Sequence, residues 1–248
     1  IDKNDTEARL KIMTADYKSK TIETSLEWFS GYKQQIFTWP EDLLYKNRSE
    51  FVGFLRKDVG GRDEVIELTW IIKNYFYGKE KWQAYSKLKN KFILAQRLAV
   101  VFSHFYKGEN YQNGDVKPQN IMIDTKGYPI IIDIDNLSVK KVNGWIIPKS
   151  KMFTENYKSN EWSETNIYAD YFSFAVILYE LLFGLHPFDG TTNVDGQTRQ
   201  EAIEQQLYVH GPKRHQYLAI PSEHNAVKLL SNQLQDLFYK SFCLTGSS

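Results

Sequence analysis

The polar stretch Asn113-Gly114-Asp115-Val116-Lys117-Pro118-Gln119-Asn120 constrains the fold most, because it is a turn-forming loop held between two apolar elements. Upstream, the run from Tyr85 to Phe105 places Leu88, Phe92, Ala95, Leu98, Val101 and Phe102 near helical spacing and predicts a long amphipathic helix. Downstream, Ile121-Met122-Ile123 and Pro129 to Ile132 flank Asp124-Thr125-Lys126-Gly127, the pattern of a β-hairpin with Gly127 in its turn. The sequence thus predicts helix, loop and hairpin in immediate succession.

The loop also carries a particular set of groups. Asp115, Lys117 and Asn120 put a carboxylate, an ammonium and a carboxamide within six residues, and Asp133 adds a second carboxylate one hairpin away. Phosphoryl transfer needs such a set, because catalysis there rests on orienting a hydroxyl and stabilising charge on the phosphate oxygens. Asn120 and Asp133 supply the oxygen ligands Mg²⁺ prefers, and that ion is usually held by one or two side chains together with phosphate oxygens and water.

With 31 basic and 30 acidic residues in 248, the chain has no general attraction for nucleic acid or an acidic membrane. The single Cys243 excludes an internal disulfide framework and fits a reducing compartment, so a cytoplasmic location is the expectation. No apolar run approaches the roughly 18 residues of a membrane span, and no signal-peptide pattern opens the sequence.

A coarse pass divides the chain at Gly60-Gly61. Residues 1–58 read as a small β-rich unit: a strand at Ala8 to Met13, a helix over Thr21 to Ser30, a short strand at Gln35 to Thr38 and a strand at Phe51 to Leu55. Residues 59–248 read as mainly helical, with helices over Asp63 to Asn74, Tyr85 to Phe105, Asp170 to Leu182, Arg199 to Val209 and Ala226 to Phe242. The strand at Ala8 lacks a hairpin partner upstream and the sequence stops just past an apolar helix, so both ends are expected to be incomplete.

The spacing of Asp115, Lys117, Asn120 and Asp133 resembles the protein kinase signature. The resemblance extends to Met152-Phe153-Thr154-Glu155-Asn156-Tyr157 through Asn160-Glu161, similar to the end of an activation segment, with Glu161 at the Glu of the A-P-E motif. It continues through Asp170 to Leu182, then Gly184 and His186-Pro187-Phe188, similar to the buried central helix whose Asp braces the catalytic loop. It implies an α+β bilobal fold with a β-rich N-lobe and a larger helical C-lobe. Asp115 would orient or deprotonate the hydroxyl, Lys117 contact phosphate, Thr154 bond to both, and Asn120 and Asp133 hold Mg²⁺. ATP would be the phosphoryl donor and a protein the acceptor.

In the small lobe the resemblance implies Lys11 as the phosphate lysine, Glu27 (favoured over Glu23) as its ion-pair partner, Leu55 and Lys57 in a hinge from Leu55 to Asp58, and Met122 as floor of an adenine pocket. Trp39 to Leu44 and Phe51 to Leu55 resemble a bacterial branch of kinase-like proteins.

Three departures stand out. A Gly-rich phosphate loop would lie before Ile1, Asn113-Gly114 replaces the usual His-Arg, and Asp133-Ile134-Asp135 replaces Asp-Phe-Gly. With no Arg beside Asp115, activation by a phosphate on the activation segment is not implied. The reading is an ATP- and Mg²⁺-dependent Ser/Thr protein kinase, with further domains possible outside this chain. The alternative is a pseudokinase serving as a nucleotide-binding or scaffolding module. A small-molecule phosphotransferase shares Gly114-Asp115, but such enzymes usually carry His where Lys117 stands.

Overall fold

A computed structural model describes residues 8–12, 38, 40–59, 64–107, 111–134, 137–147, 154–160, 163 and 165–244. Strands β1 (Ala8–Ile12), β2 (Pro40–Lys46) and β3 (Glu50–Lys57) form an antiparallel sheet ordered β1-β3-β2. Lys11 and Leu43 both stand opposite Phe54 in its ladders. Sequence reasoning missed β2, because Pro40-Glu41-Asp42 are poor strand formers; Pro is tolerated as the first residue of a strand. The three-residue turn into β3 places Asn47 and Arg48 at φ 52° and 65°. The helix expected over Thr21 to Ser30 lies outside the described residues, as does the strand at Gln35 to Thr38 apart from Thr38.

The helix expected over Asp63 to Asn74 is instead strand β4 (Val65–Glu67) running into the short helix α1 (Leu68–Ile72). A 3-10 segment, Glu80–Ser86, precedes α2 (Leu88–Phe105). Then come β5 (Tyr111–Gln112), β6 (Ile121–Asp124), β7 (Pro129–Ile131), β8 (Ser138–Lys141) and β9 (Gly144–Ile146). They make two three-stranded sheets, β4-β6-β7 and β5-β8-β9. The β6-β7 hairpin is as expected, and a Cβ at Gly127 (φ +80°) would collide with the Tyr85 hydroxyl and the Arg97 guanidinium. Pairing with Met122 and Ile123 is what draws Glu67 and Ile66 into β4 rather than into a helix.

Helix α3 (Ile167–Phe183) is followed by β10 (Thr191–Thr192), α4 (Arg199–Glu204), β11 (Tyr217–Ala219) and α5 (Asn232–Cys243). Helix α4 stops five residues before the expected Val209, because Gln206 takes φ 56° and turns Leu207, Tyr208 and Val209 into the core. The helix expected over Ala226 to Phe242 breaks at Leu230 and restarts at Ser231, whose side chain caps α5 by accepting from the Leu234 N–H.

Two apolar clusters share α3. Ile177 and Leu181 pack with α1, α2 and the β6-β7 hairpin, while Val176, Tyr179 and Leu182 pack with α4 and α5. Helix α2 buries Leu98, Val101 and Phe102 as the sequence predicts, with Ala95 packed against the core, and departs from the expectation in its first two turns. Leu94, Leu98, Val101, Phe102 and Phe105 face inward together with Lys91, while Leu88 and Phe92 are exposed. The burial of Lys91 lowers its ammonium pKa. No helix of the described residues is long and apolar enough to cross a membrane.

Candidate functional site

The loop between β5 and β6 hangs on one buried carboxylate. Asp170, in the first turn of α3 and 1% exposed, accepts from the Asn113 N–H at 2.6 Å and the Gly114 N–H at 2.8 Å. The Tyr106 hydroxyl, just beyond α2, donates to it at 2.7 Å. Such burial is tolerated only when the carboxylate is satisfied by donors. Gly114 holds φ +75°, a left-handed conformation that glycine adopts without strain.

This suspension presents Asp115, itself 6% exposed. Its Oδ1 accepts from the Thr154 hydroxyl at 2.7 Å. Its Oδ2 lies 2.7 Å from the Lys117 ammonium and accepts from the Asn120 amide at 3.0 Å. Lys117 also donates to the Thr154 hydroxyl at 3.0 Å, which closes a ring of charge-assisted bonds. Thr154 is 39 residues from Asp115 in sequence, yet it meets both loop residues as expected. A carboxylate has about four lone-pair sites, so three donors leave capacity on Oδ1 for a further hydroxyl.

Asn120 turns its amide nitrogen toward the Asp115 backbone carbonyl and Oδ2, which leaves its Oδ1 as the oxygen available to a cation. The Ile132 N–H donates to the Asn120 carbonyl at 2.9 Å and so brings Asp133 beside the loop. Asp133 is half-buried and sits at φ 60°, a left-handed conformation that Asp tolerates better than most residues. An amide oxygen and a carboxylate suit Mg²⁺, whose remaining positions are filled by phosphate oxygens and water. Asp135 lies outside the described residues.

The other expected residues are more dispersed. Met122 lies on β6 opposite Ile130, on the face away from the buried Ile121 and Ile123. Leu55 and Lys57 are still within β3, so the chain leaves the strand only at Asp58, the last residue of the expected hinge. Lys11 is on β1, paired by register with Phe54. Glu23, Glu27, Met152, Phe153 and Glu161 lie outside the described residues.

Sequence reasoning missed what anchors the segment from Thr154 to Asn160. The His186 Nε2 meets the Asn156 carbonyl at 2.7 Å, so it carries the proton, and Nδ1 accepts from the Phe188 N–H at 3.3 Å. Burial pushes the His186 pKa from 6.5 down to about 3, which keeps this neutral form. The Tyr157 hydroxyl donates to Glu180 at 2.6 Å, and burial raises the pKa of both groups. The Asn156 N–H donates to the Gln200 side chain at 3.1 Å, and the Asn160 amide to the Glu204 carbonyl at 3.0 Å. These partners are 23 to 44 residues apart, beyond any local pattern. The stretch His186-Pro187-Phe188 is the one sequence signal of these anchors.

Comparison with known proteins agrees with this geometry. The family model described as protein kinase domain matches residues 70–246. The human serine/threonine-protein kinase MRCK gamma is 26% identical over 167 residues, covering 61% of this chain and 10% of that protein. G protein-coupled receptor kinase 2 of Drosophila melanogaster is 32% identical over 159 residues, covering 60% of this chain and 21% of its own length. Human serine/threonine-protein kinase 16 is 20% identical over 196 residues, covering 69% and 62% respectively. The chain therefore spans only a tenth of MRCK gamma, and these three relatives are eukaryotic.

Proposed function

The chain belongs to the protein kinase domain family, and from that premise we propose that it transfers the γ-phosphoryl group of ATP, with Mg²⁺, to Ser or Thr hydroxyls of a protein. The observation that carries this reading is the Asp115 carboxylate held between Thr154, Lys117 and Asn120.

In this reading Asp115 Oδ1 accepts the hydrogen bond of the substrate hydroxyl and takes its proton. The hydroxyl oxygen bonds to the γ-phosphorus while the bond from that phosphorus to the β,γ-bridging oxygen breaks, and ADP leaves. Lys117 neutralises charge on the transferring group. Asn120 and Asp133 would hold Mg²⁺, which would supply positive charge to offset that of the phosphates. Lys11, oriented by Glu27, binds the triphosphate, while Met122, Leu55 and Lys57 frame the adenine. The Lys117 bond to Thr154, and the anchoring of residues 154–160 on α3 and α4, support a peptide acceptor over a small molecule.

The test is incubation with Mg²⁺, γ-labelled ATP and a generic protein substrate, beside Asp133→Ala. Label transfer by the wild type and its loss in the variant are expected. No transfer and no nucleotide-dependent thermal shift would overturn the enzyme reading, and a shift without transfer would favour a nucleotide-binding pseudokinase.

A further inference from the structure

Tyr106 lies one residue beyond α2, is 4% exposed, and closes that helix by donating its N–H to the Phe102 carbonyl at 3.0 Å. Its ring is packed against Phe105 at 4.8 Å and Tyr171 at 5.2 Å, centroid to centroid. That packing fixes the direction of the phenol. The hydroxyl meets Asp170 Oδ2, the same oxygen that receives the Asn113 N–H, while Oδ1 receives the Gly114 N–H. The Asn113 side chain in turn accepts from the Asp115 N–H at 3.3 Å. A continuous chain of bonds therefore runs from the end of α2, through a buried carboxylate, to the backbone of Asp115.

We propose that Tyr106 is a positioning residue for phosphoryl transfer, whose hydroxyl fixes the plane of the Asp170 carboxylate and through it the placement of Asp115. This rests on the catalytic reading given above. The phenol is suited to the task because burial and the neighbouring Asp170 hold its pKa well above 10, so it remains a donor at any ordinary pH. Without the hydroxyl, Oδ2 keeps the Asn113 amide but loses the donor that opposes it. The carboxylate plane is then fixed by fewer donors, and the amides of Asn113 and Gly114 are placed less tightly.

The experiment compares wild type, Tyr106→Phe, Asp170→Asn and the double variant in the same full chain. Steady-state phosphotransfer is read together with amide hydrogen exchange over residues 111–117 and thermal melting. Tyr106→Phe keeps the ring and its packing. Its kcat should fall about 10- to 100-fold, the cost of one charge-assisted bond and a small displacement of the loop, with the KM for ATP nearly unchanged. Exchange at Asn113 and Gly114 should quicken by about tenfold on the same grounds. Added to Asp170→Asn, the substitution should cost no further kcat, because Tyr106 acts only through that carboxylate. Unchanged exchange in Tyr106→Phe, unchanged kcat in an active enzyme, or full multiplication of the two effects would overturn the proposal. A wild type without turnover sinks the catalytic reading alone, and exchange still decides whether Tyr106 holds the loop.

Discussion

Residues 113–120 bury three polar side chains, Asn113, Asp115 and Asn120, whereas the described part of β2 and β3 buries only Phe51 and Phe54 as large side chains. The loop is hung by bonds reaching Asp170, 56 and 57 residues away, and Thr154, 39 residues away. The sheet is held mainly by backbone ladders in which Phe54 and its neighbours pair with β1 on one side and β2 on the other. Side-chain bonds specify one geometry to within a fraction of an ångström, while a ladder specifies register and tolerates many side chains. Substitutions in the loop should therefore change chemistry more than stability, and those in the sheet the reverse.

The largest expected effect tests the first half of this contrast. Asp115→Asn keeps the side chain's shape and an oxygen for the Thr154 hydroxyl, yet it removes the charge facing Lys117 and the capacity to take a proton. Turnover should fall by about 10²–10⁴-fold with a melting temperature close to wild type. A variant that keeps more than a tenth of the activity would show that the buried carboxylate is structural. Next in size is Phe54→Ala in the middle strand, where Phe54 is 2% exposed. It should cost about 3–5 kcal/mol in urea unfolding, the usual loss for emptying a buried aromatic site. A cost below about 1 kcal/mol would mean that the ladder alone suffices.

The same contrast explains what the sequence revealed. Asp115, Lys117, Asn120 and the β6-β7 hairpin were legible because their chemistry is local, within one loop and one turn. Thr154 and Asp170 were legible only through resemblance, since their partners lie 39 to 57 residues away. Tyr106, Tyr157 and Glu180 carried no local signal for their bonds, and His186 was marked only by the His-Pro-Phe stretch of the resemblance. Strand β2 was hidden by an unfavourable Pro-Glu-Asp opening, and in α2 the stripe through Leu98, Val101 and Phe102 was legible while Leu88 and Phe92 drew its first turns to the wrong side of Lys91 and Leu94. Val65 to Glu67 read as helix because the strand that pairs with them, β6, begins 54 residues after Glu67.

A third test concerns the anchors of the segment from Thr154 to Asn160. The folded pKa of His186, about 3, lies below its ordinary 6.5, so as pH falls the unfolded chain takes the proton first. Stability from this group is complete above about pH 6.5 and is lost below it, at up to about 1.4 kcal/mol per pH unit. His186→Gln keeps a donor for the Asn156 carbonyl and has no proton to take. Urea midpoints measured at pH 6.5 and 5.5 should fall less in this variant than in wild type, by a difference of about 1 kcal/mol. His210 and His224, whose pKa values are also lowered by burial, remain in both proteins and cancel. Equal slopes would place the acid sensitivity elsewhere.

The smallest effect lies where the two regions meet. Thr38 donates its N–H to the Ile131 carbonyl at 3.1 Å, its hydroxyl reaches the same carbonyl at 3.4 Å, and Arg56 of β3 donates to that hydroxyl at 3.3 Å. The junction thus joins the sheet to the β6-β7 hairpin through one backbone bond and two long side-chain bonds. Thr38→Val keeps the volume and the backbone bond, so it should cost only about 0.5–1.5 kcal/mol, and about as much when Arg56→Met is already present, because the hydroxyl has its own bond to the Ile131 carbonyl. A loss above about 3 kcal/mol, or strong coupling between the two substitutions, would show that the junction is anchored by polar side chains as the loop is. Turnover would then respond to both substitutions. With the small loss expected here, kcat should stay within about twofold of wild type, because the bonds that place Asp115 among the described residues run through Asp170, Asn113, Thr154, Lys117 and Asn120 rather than through the sheet.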